Sequence, residues 1–171
     1  LHIFEQRYKE LARYCLKHDA PFGIVLFDEG EMARTGSTAR IRKVLNRYED
    51  GRMDILVEGE QRFRLGQLYS RESYITADVE LMEEAEESVD FALRERAITQ
   101  HMKLLELAGR TVRPTLYEDV DQLSFVLAQN AGLDTAQKQE LLELPSENER
   151  IQYLIRHFRQ LIPRIEQHED T

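Results

Sequence analysis

At 171 residues and 42% hydrophobic content, the chain can bury a core without covalent staples, and its single cysteine, Cys15, cannot close an intramolecular disulfide. A formal net charge of −9 disfavours nonspecific attraction to phosphate backbones or anionic lipid. No apolar run approaches the ~20 residues of a membrane span, no signal-peptide pattern is present, and a cytoplasmic location in a reducing compartment is the expectation.

The first residues, Leu1, Ile3 and Phe4, read as the end of a strand that enters a helix. Phe4, Tyr8, Leu11, Ala12 and Cys15 then repeat at three- and four-residue steps, which predicts an amphipathic helix over Glu5 to His18, ended by Asp19, Ala20 and Pro21. On this reading Leu1, Ile3, Phe4 and Tyr8 belong to the core. The run from Phe22 to Phe27 is continuously apolar and bounded by breakers, as expected of a strand buried on both faces. Asp28, Glu29, Gly30 and Gly36 mark a surface loop.

Ser37 to Tyr48 forms the next predicted strand, with inward positions that begin at Ala39 and Ile41 but continue at Val44, a change of parity that a bulge explains. Asp50-Gly51 supplies a hairpin turn, because glycine reaches positive φ without steric cost. Met53, Ile55 and Val57 alternate beyond it, and a further strand follows Gly59, with Phe63 and Leu65 on one face and Arg62 and Arg64 on the other, wet face. In the last strand Ile75, Ala77, Val79 and Leu81 alternate with Thr76, Asp78 and Glu80, so the four apolar residues are expected inside.

Near Glu83 the hydrophobic period changes from two to 3.6, dividing the chain into residues 1–83, a β subdomain with one helix, and residues 84–171, a helical subdomain. Glu80, Glu83, Glu84, Glu86, Glu87 and Asp90 lack the spacing of a calcium loop and read as a solvated junction. Helices are predicted from Ser88 to Leu107 with Gly109 as the stop, through Val120 to Leu127, from Asp134 to before Pro145, and from the box Ser146-Glu147-Asn148-Glu149 along Ile151, Leu154, Ile155, Phe158, Leu161 and Ile162. Pro163 should kink or end the last helix, leaving a polar tail at His168 to Thr171.

The chain carries little recognisable chemistry. There is no phosphate-binding glycine loop, no H-E-x-x-H, no C-x-x-C and no G-x-S-x-G, and Cys15 sits on the apolar face of its helix, so no cofactor, metal or catalytic residue is expected. Arg34, Arg40, Arg42, Lys43, Arg47 and Arg52 form a basic group that, with Tyr48, could suit a single-stranded nucleic acid. Glu49, Asp50 and Asp54 interrupt it, and the acidic total opposes it.

Several segments, in order, resemble the N-terminal, substrate-recognising domain of the Lon proteases: LHIFEQRYKEL, with Gln6 where that family has Pro, FGIVL at Phe22, TGSTARI at Thr35, DGR at Asp50, VEGEQRFRL at Val57, YITADVELMEE at Tyr74 and KQELLELPSENERIQYL at Lys138. The resemblance implies an α+β fold, a PUA-like, partly closed β-barrel followed by a helical bundle. It implies that a strand normally precedes Leu1, and that an edge left open by its absence would favour self-association. In full-length Lon proteases an ATPase module and a Ser-Lys protease follow the bundle; neither is in this sequence, which reads as a domain of a longer enzyme or as a stand-alone Lon-domain protein. The implied function is noncatalytic binding of unfolded, partly folded or apolar protein segments, with Glu5, Gln6, Arg7, Arg62 and Arg64 as contact candidates. A nucleic-acid-binding PUA-like protein is the alternative.

Overall fold

The computed structural model describes residues 1–70, 72–85, 87–118 and 120–169; Glu86 of the acidic run and the end of the polar tail, Asp170 and Thr171, lie outside them. The chain divides into two compact units, Leu1–Glu83 and Glu84–Thr171.

The first unit is one antiparallel sheet and one helix. Strand β1 (His2–Ile3) leads into α1 (Gln6–His18), and β2 (Phe22–Asp28), β3 (Glu31–Arg47), β4 (Met53–Tyr69) and β5 (Thr76–Leu81) follow. Asp19 ends α1 in the left-handed region at φ 49°, after a last turn whose Lys17 and His18 face the free carbonyl end of the helix dipole. The β3–β4 hairpin closes at Asp50-Gly51, where Gly51 takes φ 82° and its N–H donates to the Tyr48 carbonyl at 3.0 Å. The strands predicted on either side of Gly59 are one continuous 17-residue strand, β4. The expected parity change in β3 is present as register shifts between Ile41 and Lys43 and between Val44 and Asn46.

The sheet order is β1-β4-β3-β2, with β5 also on β4. Because β3 pairs with Met53, Phe63 and Arg64, while β1 pairs with Met53 and β5 with Phe63 and Arg64, β1 and β5 follow one another along the edge of β4 that faces away from β3. The sheet does not close on itself, so the barrel is an open five-stranded sheet.

That topology corrects several burial expectations. Among the described residues β2 pairs only with β3, and an edge strand is not covered on both faces: Ile24 and Phe27 are exposed. In β5 the alternation is real, but Val79 and Leu81 are about half exposed, as is Ile75 just before the strand, because period-two patterning says which residues share a face and not whether anything packs on it. Leu1, Phe4 and Tyr8, expected inside, are exposed, whereas Ile3 is half-buried. The buried cluster of this unit is small, Ala12, Met53 and Ile55 with Leu16, Ile41, Val44 and Val57 around them, and Cys15, Ala39 and Phe63 are buried as well.

The second unit comprises α2 (Phe91–Leu107), a 3-10 turn (Pro114–Tyr117), α3 (Leu123–Ala128), α4 (Thr135–Glu143) and α5 (Glu147–Glu169). Asp90 caps α2 by accepting from the amides of Ala92 and Leu93, so the helix starts three residues later than the pattern from Ser88 suggests. Likewise α3 begins at Leu123, beyond Val120. The reciprocal capping box forms at α4, between Asp134 and Gln137. At α5, Ser146 Oγ accepts from the Glu149 amide, while the Glu147 carboxylate accepts from the amide and hydroxyl of Ser124 at 2.8 and 2.6 Å. Pro163 lies inside α5, which runs on to Glu169; contacts of Leu161, Ile162 and Ile165 with the core offset the one lost backbone bond.

The acidic run is not wholly solvated. Arg150 is fully buried, its Nη2 donating to Glu84 at 2.8 Å and Glu147 at 2.9 Å, Nε to Ser124 Oγ at 2.9 Å and Nη1 to the Leu144 carbonyl at 3.1 Å. Every side of a charge taken out of water is thereby met by an acceptor.

Candidate functional site

The first unit holds a cavity of about 330 Å³ lined almost entirely by apolar atoms. Its walls are Leu1 to Phe4 and Phe22 to Val25, with Tyr8, Leu11 and Ala12 of α1 and Ile55 of β4 completing the lining. Four consecutive residues on each wall mean that the cavity looks onto strand edges, not onto one face of a strand, since along a face only alternate residues would contribute. These walls, β1 and β2, are the two ends of the path β1-β4-β3-β2. The β1 wall is pinned by the Leu1 amino group, which donates to the Ile55 carbonyl at 2.7 Å, and by the Ile55 N–H, which donates back to Leu1 at 2.8 Å.

A polar cluster flanks it. His2 Nδ1 lies 2.6 Å from Asp54 Oδ1, and Asn46 and the Tyr48 hydroxyl donate to Asp54 Oδ2 at 2.9 and 2.8 Å. These three contacts, His2 foremost, hold the Asp54 carboxyl well below the usual carboxylate range, so it is a fixed anion. With all its contacts directed at neighbours that brace β1 and the hairpin end, the cluster is a scaffold. Burial pushes the Cys15 thiol up, away from the thiolate form that reacts.

Of the five contact candidates, the structure brings one to the cavity. Glu5 is the residue ahead of α1 and lines the cavity, and its carboxylate accepts from Arg7 Nε at 2.9 Å. Arg7 lies over the Tyr8 ring at 4.6 Å, and the Gln6 side chain donates to Glu10 at 2.8 Å, pointing along the helix. Arg62 is not on a wet face. It is 5% exposed, because at this level β4 is an interior strand with Ser37 of β3 on one side and the Met82 amide donating to the Arg62 carbonyl on the other. Arg64, opposite Thr35 and Glu80, is exposed as expected. Residues that the pattern assigned to the core, Leu1, Phe4 and Ile24, line the cavity instead. The one local signal for this was the acidic turn directly after Phe27, which suits a strand at the rim better than one at the centre.

Three residues of the basic group, Arg40, Arg42 and Arg52, are engaged by carboxylates. Arg40 donates to Glu60 at 2.6 Å and lies 3.2 Å from Asp19, Arg42 donates to Glu58 at 2.5 Å, and Arg52 to Asp50 at 2.6 Å. Each of these guanidiniums is matched by a carboxylate of its own unit. Among the described residues, no group of three or more His, Cys, Asp or Glu converges as a metal site, and no helix is long and apolar enough to cross a membrane.

Comparison with known proteins agrees with this architecture. The chain is 30% identical over 135 residues to Lon protease 2 of Herpetosiphon aurantiacus and 29% identical over 133 residues to Lon protease of Escherichia coli K12; these matches take in 74% and 73% of the chain but 16% and 17% of the relatives, so the chain spans about a sixth of their length. Its fold is similar to that of a Lon N-terminal domain protein from Xanthomonas campestris, at TM-score 0.70 and 22% identity over 91% of this chain and 86% of that one. The N-terminal domain of a Mycobacterium avium complex Lon protease matches at TM-score 0.64 and 21% identity, over 94% of this chain and 90% of that one. A model of the family described as the ATP-dependent protease La (LON) substrate-binding domain matches residues 1–160, and the chain belongs to that family.

Proposed function

We propose that this chain is a noncatalytic, cytoplasmic polypeptide-recognition module that binds unfolded or apolar segments of protein substrates. The observation that carries the reading is the apolar cavity between two strand edges, in a chain of a family described as substrate-binding. Apolar walls reward burial of side chains at roughly 25 cal/mol per Å², and exposed strand edges offer backbone hydrogen bonds that do not depend on sequence. That combination suits a binder of many unfolded chains. Nucleic-acid binding is disfavoured by the pairing of Arg40, Arg42 and Arg52 with carboxylates.

Fluorescence anisotropy with a labelled denatured protein and a labelled single-stranded RNA tests this. Protein binding should change little with salt, whereas each phosphate contact in an RNA complex would add about 0.7 to the log-log salt slope. RNA bound more tightly than protein at physiological salt would overturn the proposal, and so would ATP-dependent proteolysis by the chain alone.

A further inference from the structure

The helical unit carries a row of cations that its own carboxylates do not meet. α2 and α5 run side by side in the same direction: near their starts the Asp90 amide donates to Asn148 Oδ1 at 3.0 Å, and towards their ends Lys103 Nζ lies 3.1 Å from Glu166. Their inner faces are locked into the core by Ala97, Leu104, Leu154 and Phe158. A step of one heptad returns to nearly the same face of a helix. Arg96 stands one heptad before Lys103 and Arg159 one heptad before Glu166, so the two arginines border the same seam, at the level where α5 also carries Arg156.

All three side chains are exposed, and among the described residues none of them forms an ion pair. Residues three and four positions away on the same helix are the nearest that could pair with them. Around Arg96 these are Ala92, Leu93, Thr99 and Gln100, and around Arg156 and Arg159 they include no carboxylate but do include each other. Arg156 lies 5.9 Å from the Tyr153 ring, whose hydroxyl donates to Glu140 at 2.8 Å. Like charges fixed on a rigid seam repel one another, and anions from outside relieve them. We propose that the outer seam of α2 and α5 is a docking surface for an acidic segment of a partner polypeptide, whose carboxylates meet Arg96, Arg156 and Arg159. This goes beyond the binding of unfolded or apolar segments and stands on the helical unit alone. A polypeptide fits better than a nucleic acid. A chain of net charge −9 repels a dense row of phosphates, and Tyr153, the ring beside Arg156, is half-buried and tied to Glu140 instead of open to a stacking base.

The test measures fluorescence anisotropy of a labelled peptide of alternating Glu and Ala, its counterpart of alternating Lys and Ala, and a labelled single-stranded RNA, against this chain and against the whole product of its gene. The Glu peptide should bind most tightly of the three, and less so as salt rises, because exposed charges are screened within about 8 Å at physiological ionic strength. Arg96→Gln, Arg156→Gln and Arg159→Gln should each weaken it by about 1.5- to fivefold, the range of one exposed ion pair, and all three together by about tenfold. Changing the same three residues to Glu should turn the preference to the Lys peptide. Lys17→Gln, which removes one exposed positive charge from the sheet unit, should leave Glu-peptide binding as it is. Urea unfolding of the triple Gln variant should match that of the parent, which separates a lost contact from a lost fold. Equal binding of the Glu and Lys peptides, undiminished binding of the Glu peptide by the triple variant, or an equal loss with Lys17→Gln overturns the proposal. So does RNA bound more tightly than the Glu peptide, which would make the seam a nucleic-acid site. So does loss of Glu-peptide binding in the whole gene product, where another part of the polypeptide would cover the seam.

Discussion

The two units spend their apolar residues differently. In the helical unit Leu123, Leu127, Ile151, Leu154 and Phe158 are fully buried in one cluster that draws on α2, α3, α4 and α5. In the sheet unit the buried apolar cluster is Ala12, Met53 and Ile55, with Cys15, Ala39 and Phe63 buried as well. Among the described residues, all exposed large apolar side chains except Phe91 and Leu116 lie between Leu1 and Leu81. A helix buries its stripe by packing on its neighbours, whereas a sheet with free ends leaves face and edge waiting for a partner. The difference places the larger buried core in the helices and most of the exposed apolar surface in the sheet.

The sharpest test of that contrast is Arg150→Ala, which removes the cation facing Glu147 and Glu84 and leaves a void, and should cost about 3 to 5 kcal/mol in urea unfolding followed by circular dichroism. A loss near zero would show that the buried cluster is not a stability element. Leu154→Ala should cost about 2 to 5 kcal/mol, since Leu154 is fully buried in mid-helix. Acid should act on the same unit through His101. Its imidazole is fully enclosed, 2.9 Å from the Tyr117 hydroxyl, and burial pushes its pKa down to about 4. Above pH ~6.5 both folded and unfolded states are neutral at this residue and its contribution is complete; as pH falls from there towards 4 the unfolded chain takes up the proton first, and on the order of 2 to 3 kcal/mol is lost. His101→Phe should flatten that part of the stability profile; an unchanged slope would place the acid sensitivity elsewhere.

Gly36→Ala probes the tightest glycine of the sheet. An added methyl there would lie 2.6 Å from the Ile24 carbonyl and 2.7 Å from the Phe63 ring, and a cost of about 1 to 3 kcal/mol is expected. At the bottom of the scale, Phe27→Ser should shift stability by less than about 0.5 kcal/mol, because its side chain is 65% exposed, and Val79→Ser, half exposed, by little more. A large loss at either would mean that the sheet's apolar surface is already in use within the molecule.

What could be read from the sequence divides along a physical line. Period and turn chemistry are local, so α1, the Asp50-Gly51 hairpin, the alternation of β5 and the shift to helices were visible in residue order. Neighbourhood is not local. Nothing in Phe22 to Phe27 says that β2 has one partner, and nothing in Arg62-Phe63-Arg64 says that the first arginine is covered while the second is wet. For the same reason Glu5 could be placed at a helix start but not in a cavity lining. Arg150 was the least legible: it stands at the end of a polar run, Glu147-Asn148-Glu149, and is buried only because Ser124 and Leu144 converge on it from elsewhere in the unit.

The two-residue length of β1 bears on the order in which the molecule assembles and opens. The β3–β4 ribbon zips from its own turn, joining residues close in sequence, whereas His2 meets Asp54 only after a span of 52 residues has been closed. Such closure costs chain entropy that few bonds repay, so β1 should dock late in folding and detach first, without melting the ribbon. Hydrogen–deuterium exchange would then find the Ile55 amide, bonded to Leu1, exchanging well before the ladder amides around Ile41 and Val57. On that timescale β1 is the wall of the cavity expected to open first, with His2 and Ile3 releasing while the ribbon stays paired.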